Sequence, residues 1–246
     1  MNTTKESPRE TNRKTAIIAG VLYIVGTVAG ILSLTFTAPI LERPDFLAQV
    51  SANPNQIVLG ALFVLTMGLA LAMIPVMLFP VLKRYNETLA VGYVVFRGAL
   101  EAVMYLVLVI GWLALPLISQ EYIKATAADA SYFQSLGDFV LAAHGQISHV
   151  LTIVFILGAL MFYYVLYQSK LVPRWLSGWG LLAAIPYFIS GVLGLFGSLS
   201  PMSSLQMILV LPLALQEMVL AIWLIVKGFN SVSVNFQAAQ VAISQA

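Results

Sequence analysis

Four residues that can hydrogen-bond or carry charge recur at every fourth position of one apolar stretch: Tyr93, Arg97, Glu101 and Tyr105. Because residues i and i+4 share a helix face, a helix here would carry these side chains as one polar stripe. An arginine and a glutamate at this spacing can pair, and ionisable groups inside a membrane often bind protons or ligands. The stripe is therefore the first candidate functional site.

A third charge, Glu217, lies in another apolar stretch near the end of the chain. At a rise of about 1.5 Å per residue, Arg97, Glu101 and Glu217 fall about 12, 18 and 15 Å from the same predicted membrane edge. Each would cost about 2.5–3.5 kcal/mol if it faced lipid unpaired, so we expect Arg97 to lie between the two carboxylates. One cation with two carboxylates leaves two interpretations open: a structural clamp between helices, or a site that exchanges a proton or binds a ligand.

The chain has two histidines, His144 and His149, which flank Gln146. They are separated by about 140° around a helix, so they cannot chelate one ion together as an i, i+4 pair does. Either histidine can hydrogen-bond within a helix bundle, or relay protons with Glu101 or Glu217 if it lies near the membrane midplane. Because a catalytic metal usually has at least three protein ligands, we predict neither a metal site nor a cofactor.

These residues need helices that cross a membrane to position them. The sequence is 60% hydrophobic and 9% charged, with a mean hydropathy of +0.93, whereas a soluble domain carries about 25% charged residues. A bilayer core of about 30 Å needs about 20 apolar residues per helix. Six stretches meet this requirement, at about 15–38, 56–79, 89–118, 139–167, 175–199 and 203–226. The predicted fold is all-α: a polytopic membrane protein whose residues 15–228 form a bundle of six transmembrane helices in a lipid bilayer.

The basic residues predict how this bundle is oriented. Of the twelve Lys and Arg residues, nine lie in tails and connections on the side of the N-terminus, two lie on the other side, and Arg97 lies within a helix. Because cytoplasmic segments are rich in Lys and Arg, residues 1–14 and 229–246 are predicted to be polar cytoplasmic tails. Trp112, toward the far end of the third helix, is predicted to be an interfacial anchor. The net charge of +2 argues against a nucleic-acid partner.

Six short motifs in order resemble a family of bacterial six-span integral membrane proteins that is characterised only as a domain of unknown function. The motifs are Gly20-Val21-Leu22-Tyr23-Ile24, Phe96-Arg97-Gly98-Ala99-Leu100-Glu101, His144-Gly145, Pro173-Arg174-Trp175-Leu176-Ser177-Gly178, Gln216-Glu217 and Trp223-Leu224-Ile225-Val226-Lys227-Gly228. The resemblance covers nearly all of residues 14–228 and departs at Gln216, where a small residue is usual in the family. It implies a six-span bundle and a multi-pass location in the bacterial inner membrane, and it carries no activity.

The sequence leaves three functions open. The first, which we favour, is a small transporter or ligand-binding membrane protein whose Arg/Glu site takes a small molecule or a proton. The second is an intramembrane enzyme that uses a histidine with the glutamates, and the third is a structural or accessory membrane protein whose ion pairs only hold the bundle together. The candidate ligand- or proton-binding residues are Arg97, Glu101, Glu217, His144, His149, Tyr93, Tyr105 and Gln146. Substrate and oligomeric state do not follow from the sequence.

Overall fold

The computed structural model describes residues 8–199 and 203–230, and this part of the chain is helical, without strands. The elements in chain order are α1 (Pro8–Leu41), α2 (Phe46–Ala52), α3 (Pro54–Leu82), α4 (Glu87–Tyr93), a π-helical segment (Val94–Leu100), α5 (Glu101–Lys124), α6 (Ala127–Ser169), α7 (Arg174–Leu195) and α8 (Ser204–Val226). The segments α4, π and α5 continue one another and form a single long helical stretch.

Six of these helical stretches are long and apolar enough to cross a membrane: α1, α3, the α4–π–α5 stretch, α6, α7 and α8. This confirms the predicted all-α fold with six apolar helices. Many large apolar side chains point outward, including Ile110, Leu117 and Leu182, which are 67%, 67% and 70% exposed. Such a surface suits contact with lipid, because a soluble protein rarely exposes large contiguous apolar patches.

Several helices are longer than the apolar stretches that predicted them. For example, α6 begins at Ala127 rather than near 139, and α1 begins at Pro8 rather than at 15. Hydropathy marks the part of a helix that lies in lipid, whereas the helix itself can continue into polar surroundings. Part of the predicted N-terminal tail is thus helical, while residues 1–7 and 231–246 of the two predicted tails lie outside the described residues.

Arg13 explains why α1 extends beyond its apolar part. Its guanidinium donates hydrogen bonds to the last carbonyls of α8, at 3.3 Å to Leu224, 2.8 Å to Ile225 and 3.1 Å to Val226. These carbonyls have no partner within their own helix, and a cation also suits the negative end of the helix dipole. The start of the first helix and the end of the last are therefore bonded to each other.

The short helix α2 lies against the opposite end of the bundle. Its side chains Phe46, Leu47 and Val50 are buried. The side chain of Gln49 donates a 2.7 Å hydrogen bond to the exposed Asp45 carboxylate just before the helix. This bond to the charged form lowers the pKa of Asp45. The buried apolar side chains of α2 pack against α5.

Around the bundle, α1 packs against α3 and α8, α6 packs against α5 and α7, and α7 also packs against α8. The α4–π–α5 stretch packs between α3 and α6. The polar residues singled out from the sequence therefore lie on helices that are in contact.

Candidate functional site

Arg97 lies between the two carboxylates, as the predicted depths indicated. Its Nη1 donates to both carboxylate oxygens of Glu101 at 3.2 Å, and its Nη2 donates to Oε1 of Glu217 at 3.2 Å. The Arg97 and Glu101 side chains are 3% and 1% exposed, and that of Glu217 is 17% exposed. We call these three residues the charged cluster; it joins the third membrane-spanning stretch to α8 inside the bundle.

The backbone that carries Arg97 is a π-helical turn rather than the α-helix that the spacing predicted. Residues Val94–Leu100 form this turn, and the amide of Glu101 donates to the carbonyl of Phe96. The α6 helix passes very close to it, because a Cβ added at Gly158 would lie 3.2 Å from the backbone nitrogen of Arg97. Short π-helical turns within α-helices are rare and frequent at functional sites, and the wider turn here changes how Arg97 is presented to its partners.

Aromatic rings enclose the guanidinium. The Cζ of Arg97 lies 4.2 Å from the centre of the Phe155 ring and 6.0 Å from that of Tyr23. A cation within about 6 Å of a ring face is attracted by the ring quadrupole, most strongly where water is excluded. Tyr93, one of the predicted stripe residues, is buried and stacks on Phe162 at 4.7 Å rather than bonding to the cluster.

Gln216, next to Glu217, forms a second buried connection and is not among the site residues predicted from the sequence. The Tyr163 hydroxyl donates a 2.6 Å hydrogen bond to Oε1 of Gln216, and Nε2 of Gln216 donates at 3.0 Å to the carbonyl of Leu176. These bonds tie α8 to α6 and α7 beside the charged cluster. The available sequence signal was an amide inside an apolar stretch, where a polar group must find a partner.

A cavity of about 420 Å³ lies on the side of the charged cluster that faces α2. All six membrane-spanning stretches contribute side chains to it. One wall is a stack of the Trp112 indole on the His144 imidazole, with ring centres 5.0 Å apart and planes within 5°. The prediction that Trp112 is an interfacial anchor is therefore wrong: the side chain is 6% exposed because it packs inside the bundle.

Two residues that line this cavity each carry a buried polar atom that has almost no accessible surface and no hydrogen-bond partner among the described residues. The atoms are Nε2 of His144, on α6, and Oε1 of Gln206, on α8. Nearby, Ser148 donates to the carbonyl of His144 at 2.8 Å and Thr152 donates to that of Ser148 at 3.0 Å. These two hydroxyl oxygens keep lone pairs that can accept a hydrogen bond from a molecule in the cavity. Unsatisfied buried polar atoms are rare in native proteins, so each calls for an explanation.

His149 lines the same cavity although it lies away from His144 around the helix. Its side chain is 3% exposed and its ring packs directly on Gly194 of α7, where no Cβ could be accommodated without movement. Gln146, between the two histidines, is exposed and does not line the cavity. The cavity therefore collects both histidines and excludes the amide between them.

The charged cluster and the cavity are neighbours, and Tyr105 connects them. Tyr105 lines the cavity and lies one turn after Glu101 on the same helix. Arg97, Glu101 and Glu217 themselves do not line the cavity. Six of the eight predicted site residues thus fall into two groups: the charged cluster, which is closed by its own ion pairs, and Tyr105, His144 and His149, which line open space. Tyr93 and Gln146 belong to neither group.

The histidines and the glutamates do not meet. Neither histidine forms an ion pair with Glu101 or Glu217. Both carboxylates pair with Arg97 instead. Among residues 8–199 and 203–230, no group of three or more histidine and acidic side chains could hold a metal ion.

Comparison with known proteins gives a family and no activity. No curated protein and no solved structure matches the chain. Residues 18–228 match a family described as "Domain of unknown function (DUF4386)", which confirms the resemblance seen in the sequence motifs. The match begins within α1 and ends just after α8, so it includes at least part of each of the six apolar helices. The chain therefore belongs to the DUF4386 family, with six helices suited to crossing a membrane.

Proposed function

We propose that this protein is a small transporter or ligand-binding protein of the bacterial inner membrane, with both termini in the cytoplasm, and that it binds a small uncharged molecule in the six-helix cavity. The observation that carries the proposal is the pair of buried, unpartnered polar atoms at the cavity, Nε2 of His144 and Oε1 of Gln206. Both atoms are almost inaccessible in this structure, so a ligand in the cavity reaches them when the two side chains rotate. Hydrogen bonds to both would then remove the desolvation cost of about 1–3 kcal/mol that each unsatisfied group carries.

The size and lining of the cavity support a small organic ligand. Its volume of about 420 Å³ lies within the range of about 300–1,000 Å³ that is usual for ligand sites. Most lining residues are apolar or aromatic, and the polar ones are hydroxyl, amide and imidazole groups. This combination suits a molecule with a flat or aliphatic body and one or two hydrogen-bonding groups.

The absence of charge in the lining supports an uncharged ligand. None of the residues around the cavity is Lys, Arg, Asp or Glu. A charged molecule would therefore have no direct counter-ion in a site that is surrounded by apolar helices, which is strongly unfavourable. The three residues of the neighbouring charged cluster are already paired with one another.

The charged cluster supports the cavity by fixing the helices that form it. Glu217 and Gln206 are both on α8, and Glu101 and Tyr105 are both on α5. When Arg97 bonds to both glutamates it holds α8 against the third stretch, and so keeps Gln206 and Tyr105 in place. The cluster contains one more acid than base, so it carries one net negative charge when both glutamates are ionised. Uptake of one proton would make it neutral, and the proposal of proton exchange rests on this imbalance.

An enzymatic role is less well supported, because the histidines lie at the cavity while the glutamates bond to Arg97. The closed geometry of the cluster does favour a structural role for those three residues as a second candidate. The structural role and the ligand-binding role are compatible, since ion pairs that hold helices together can also position the residues of a binding cavity.

The proposal is tested with a ring-containing probe and its charged analogues. Full-length protein in detergent is titrated with benzyl alcohol, benzoate or benzylammonium while its thermal unfolding is followed. We expect benzyl alcohol to raise the unfolding midpoint in a saturable way, and we expect the two ions not to do so. His144→Phe retains a ring beside Trp112 but lacks the unpartnered nitrogen, and Gln206→Leu lacks the unpartnered oxygen; each should weaken the response at least fivefold.

Gln146→Leu is the matched control, because it removes a polar side chain from the same helix at an exposed position. Its response should equal that of the unaltered protein. If benzoate or benzylammonium stabilises the protein as much as benzyl alcohol, the site is not selective for uncharged molecules. If the two cavity variants respond like the control, the cavity is not the binding site and the proposal is wrong.

A further inference from the structure

A second cavity, of about 450 Å³, lies at the other end of the bundle, where the chain turns from α6 into α7 and where α8 ends. Three of its lining side chains are cations, Lys170, Arg174 and Lys227, and no acidic residue lines it. Because opposite charges attract, a concave site that brings basic side chains together suits an anion.

The end of α8 does not supply that negative charge. Its last carbonyls would be the natural partners of nearby cations, but Arg13 donates to Leu224, Ile225 and Val226 and its side chain also packs against Gly228. The positive charge of Arg13 thus offsets the negative end of the helix dipole. Arg174 and Lys227 then face a cavity in which the nearest helix end has already been neutralised.

The two cations are differently held. The Arg174 guanidinium lies 5.2 Å from the centre of the Tyr167 ring, a contact that leaves its N–H groups available in the plane. Lys227 directly follows α8 and is exposed. Arg174 is also the first residue of α7, a helix of 22 residues whose positive end adds to the local field.

The remaining walls are apolar and lie at the edge of the membrane-spanning helices. Trp223 and Phe229 line the cavity, and Trp223 contacts the 57% exposed Trp175 edge-on at 6.4 Å. Exposed tryptophans at helix ends are typical of the headgroup level of a bilayer. Basic residues above an apolar wall at this level fit a phosphate group whose acyl chains continue along the helices.

We propose that this cavity, which we call the basic pocket, binds the phosphate of an anionic phospholipid. Arg174 offers a planar pair of donors to two phosphate oxygens and Lys227 offers a point charge to a third. Trp223 and Phe229 contact the glycerol and the first methylenes. The site is separate from the six-helix cavity and does not depend on the ligand proposed for it.

The test compares lipids that share their acyl chains and differ in headgroup. Full-length protein in detergent is incubated with dioleoyl-phosphatidylglycerol or dioleoyl-phosphatidylcholine, and bound lipid is counted by native mass spectrometry. We expect one phosphatidylglycerol to remain bound under conditions that remove phosphatidylcholine. In Arg174→Gln/Lys227→Gln the affinity for that lipid should fall at least fivefold, with an unchanged unfolding midpoint.

Lys83→Gln/Arg84→Gln is the control, because it removes the same charge from another connection at the same end of the bundle, and its affinity should change less than twofold. Equal losses in both variants would mean general attraction to basic loops and would overturn the proposal, as would equal retention of the two lipids.

Inorganic phosphate at millimolar concentration distinguishes a lipid phosphate from free phosphate as the ligand of the basic pocket. Weak competition between phosphate and phosphatidylglycerol supports a lipid ligand, whereas tight binding of phosphate without retention of the lipid contradicts the proposal. If the double variant does not fold, Lys227→Gln alone carries the test, with a loss of at least twofold expected and no loss counting against the site.

Discussion

Removal of the Arg97 cation should destabilise the protein far more than removal of the whole charged cluster. In Arg97→Met, Glu101 and Glu217 lose the three 3.2 Å hydrogen bonds that they accept from the guanidinium. Two carboxylates then remain inside the bundle without a cation. Breaking a buried ion pair on one side costs about 3–5 kcal/mol, so we expect a loss of that size in the free energy of unfolding.

Neutral replacement of all three residues should reverse most of this loss. In Arg97→Met/Glu101→Gln/Glu217→Gln no charge stays buried, and replacing buried ionic groups by neutral ones of similar shape is often close to neutral or stabilising. We expect the triple variant to lie within about 1 kcal/mol of the unaltered protein, or above it. The single variant would then be less stable than the triple variant by at least about 2 kcal/mol, the smallest loss expected for the single variant minus the largest expected for the triple variant.

The assay is reversible unfolding in mixed dodecyl maltoside and dodecyl sulfate micelles, followed by circular dichroism. Lys83→Met is the matched control: this cation is exposed and lies 5.4 Å from the Phe79 ring centre, so its removal should cost at most about 1 kcal/mol. The reasoning is refuted if Arg97→Met costs no more than this control. It is also refuted if the triple variant is as unstable as the single one, since the loss would then come from packing and not from uncompensated charge.

Four further variants, one of them a control, probe how the helices are held together, each by the same unfolding assay. Gly194→Ala places a methyl group against the His149 ring and should cost about 1–3 kcal/mol. Its control is Gly111→Ala, where nothing lies within 4 Å of the added methyl group, and this variant should be stabilised by about 0.5–1 kcal/mol. Equal effects of the two substitutions would contradict the tight α6–α7 contact. Gln216→Leu leaves a buried tyrosine hydroxyl and a carbonyl without their partner, so we expect a loss of about 1–3 kcal/mol, and a neutral result would mean that water replaces the amide. Arg13→Gln removes charged hydrogen bonds to the end of α8 and should cost about 1–2 kcal/mol and increase amide hydrogen exchange there; unchanged exchange would argue against the contact.

The charged cluster could be predicted from the sequence because the cost of burying charge leaves few arrangements. Three ionisable side chains at similar depth in apolar helices must pair, and Arg97 does pair with both carboxylates. Helix number followed in the same way from the length that a bilayer requires. These inferences depend on depth and charge alone, which a single sequence contains.

The cavity could not be predicted, because it depends on which helix faces meet. Trp112 and Gln206 are far apart in sequence, and nothing local to either residue indicates that both border the space beside His144. The position of Trp112 along its helix predicts an interfacial side chain, yet α6 supplies a ring on which it stacks. Sequence spacing also placed the two histidines on different faces, but a cavity that touches all six stretches is wide enough to reach both.

The π-helical turn had no sequence signature either. Residues 94–100 are mostly apolar and compatible with an ordinary α-helix, so local propensity gives no reason for the wider turn. The close approach of α6 at Gly158 and of Pro75 in α3, 3.3 Å from a Cβ added at Gly98, is a tertiary feature. The backbone around Arg97 is therefore fixed by its neighbours and not by its own residues.

The most direct test of the central claim is to locate a ligand in the six-helix cavity. Crystals of the full-length protein soaked with para-bromobenzyl alcohol would show the bromine by its anomalous scattering. We predict one bromine site enclosed by Trp112, His144 and Gln206, with the alcohol within hydrogen-bonding distance of the imidazole Nε2 or the amide Oε1, and loss of this site in Gln206→Leu. Bromine found only on the lipid-facing surface, or a cavity that remains empty at saturating probe, would contradict the proposal that this protein binds a small uncharged molecule there.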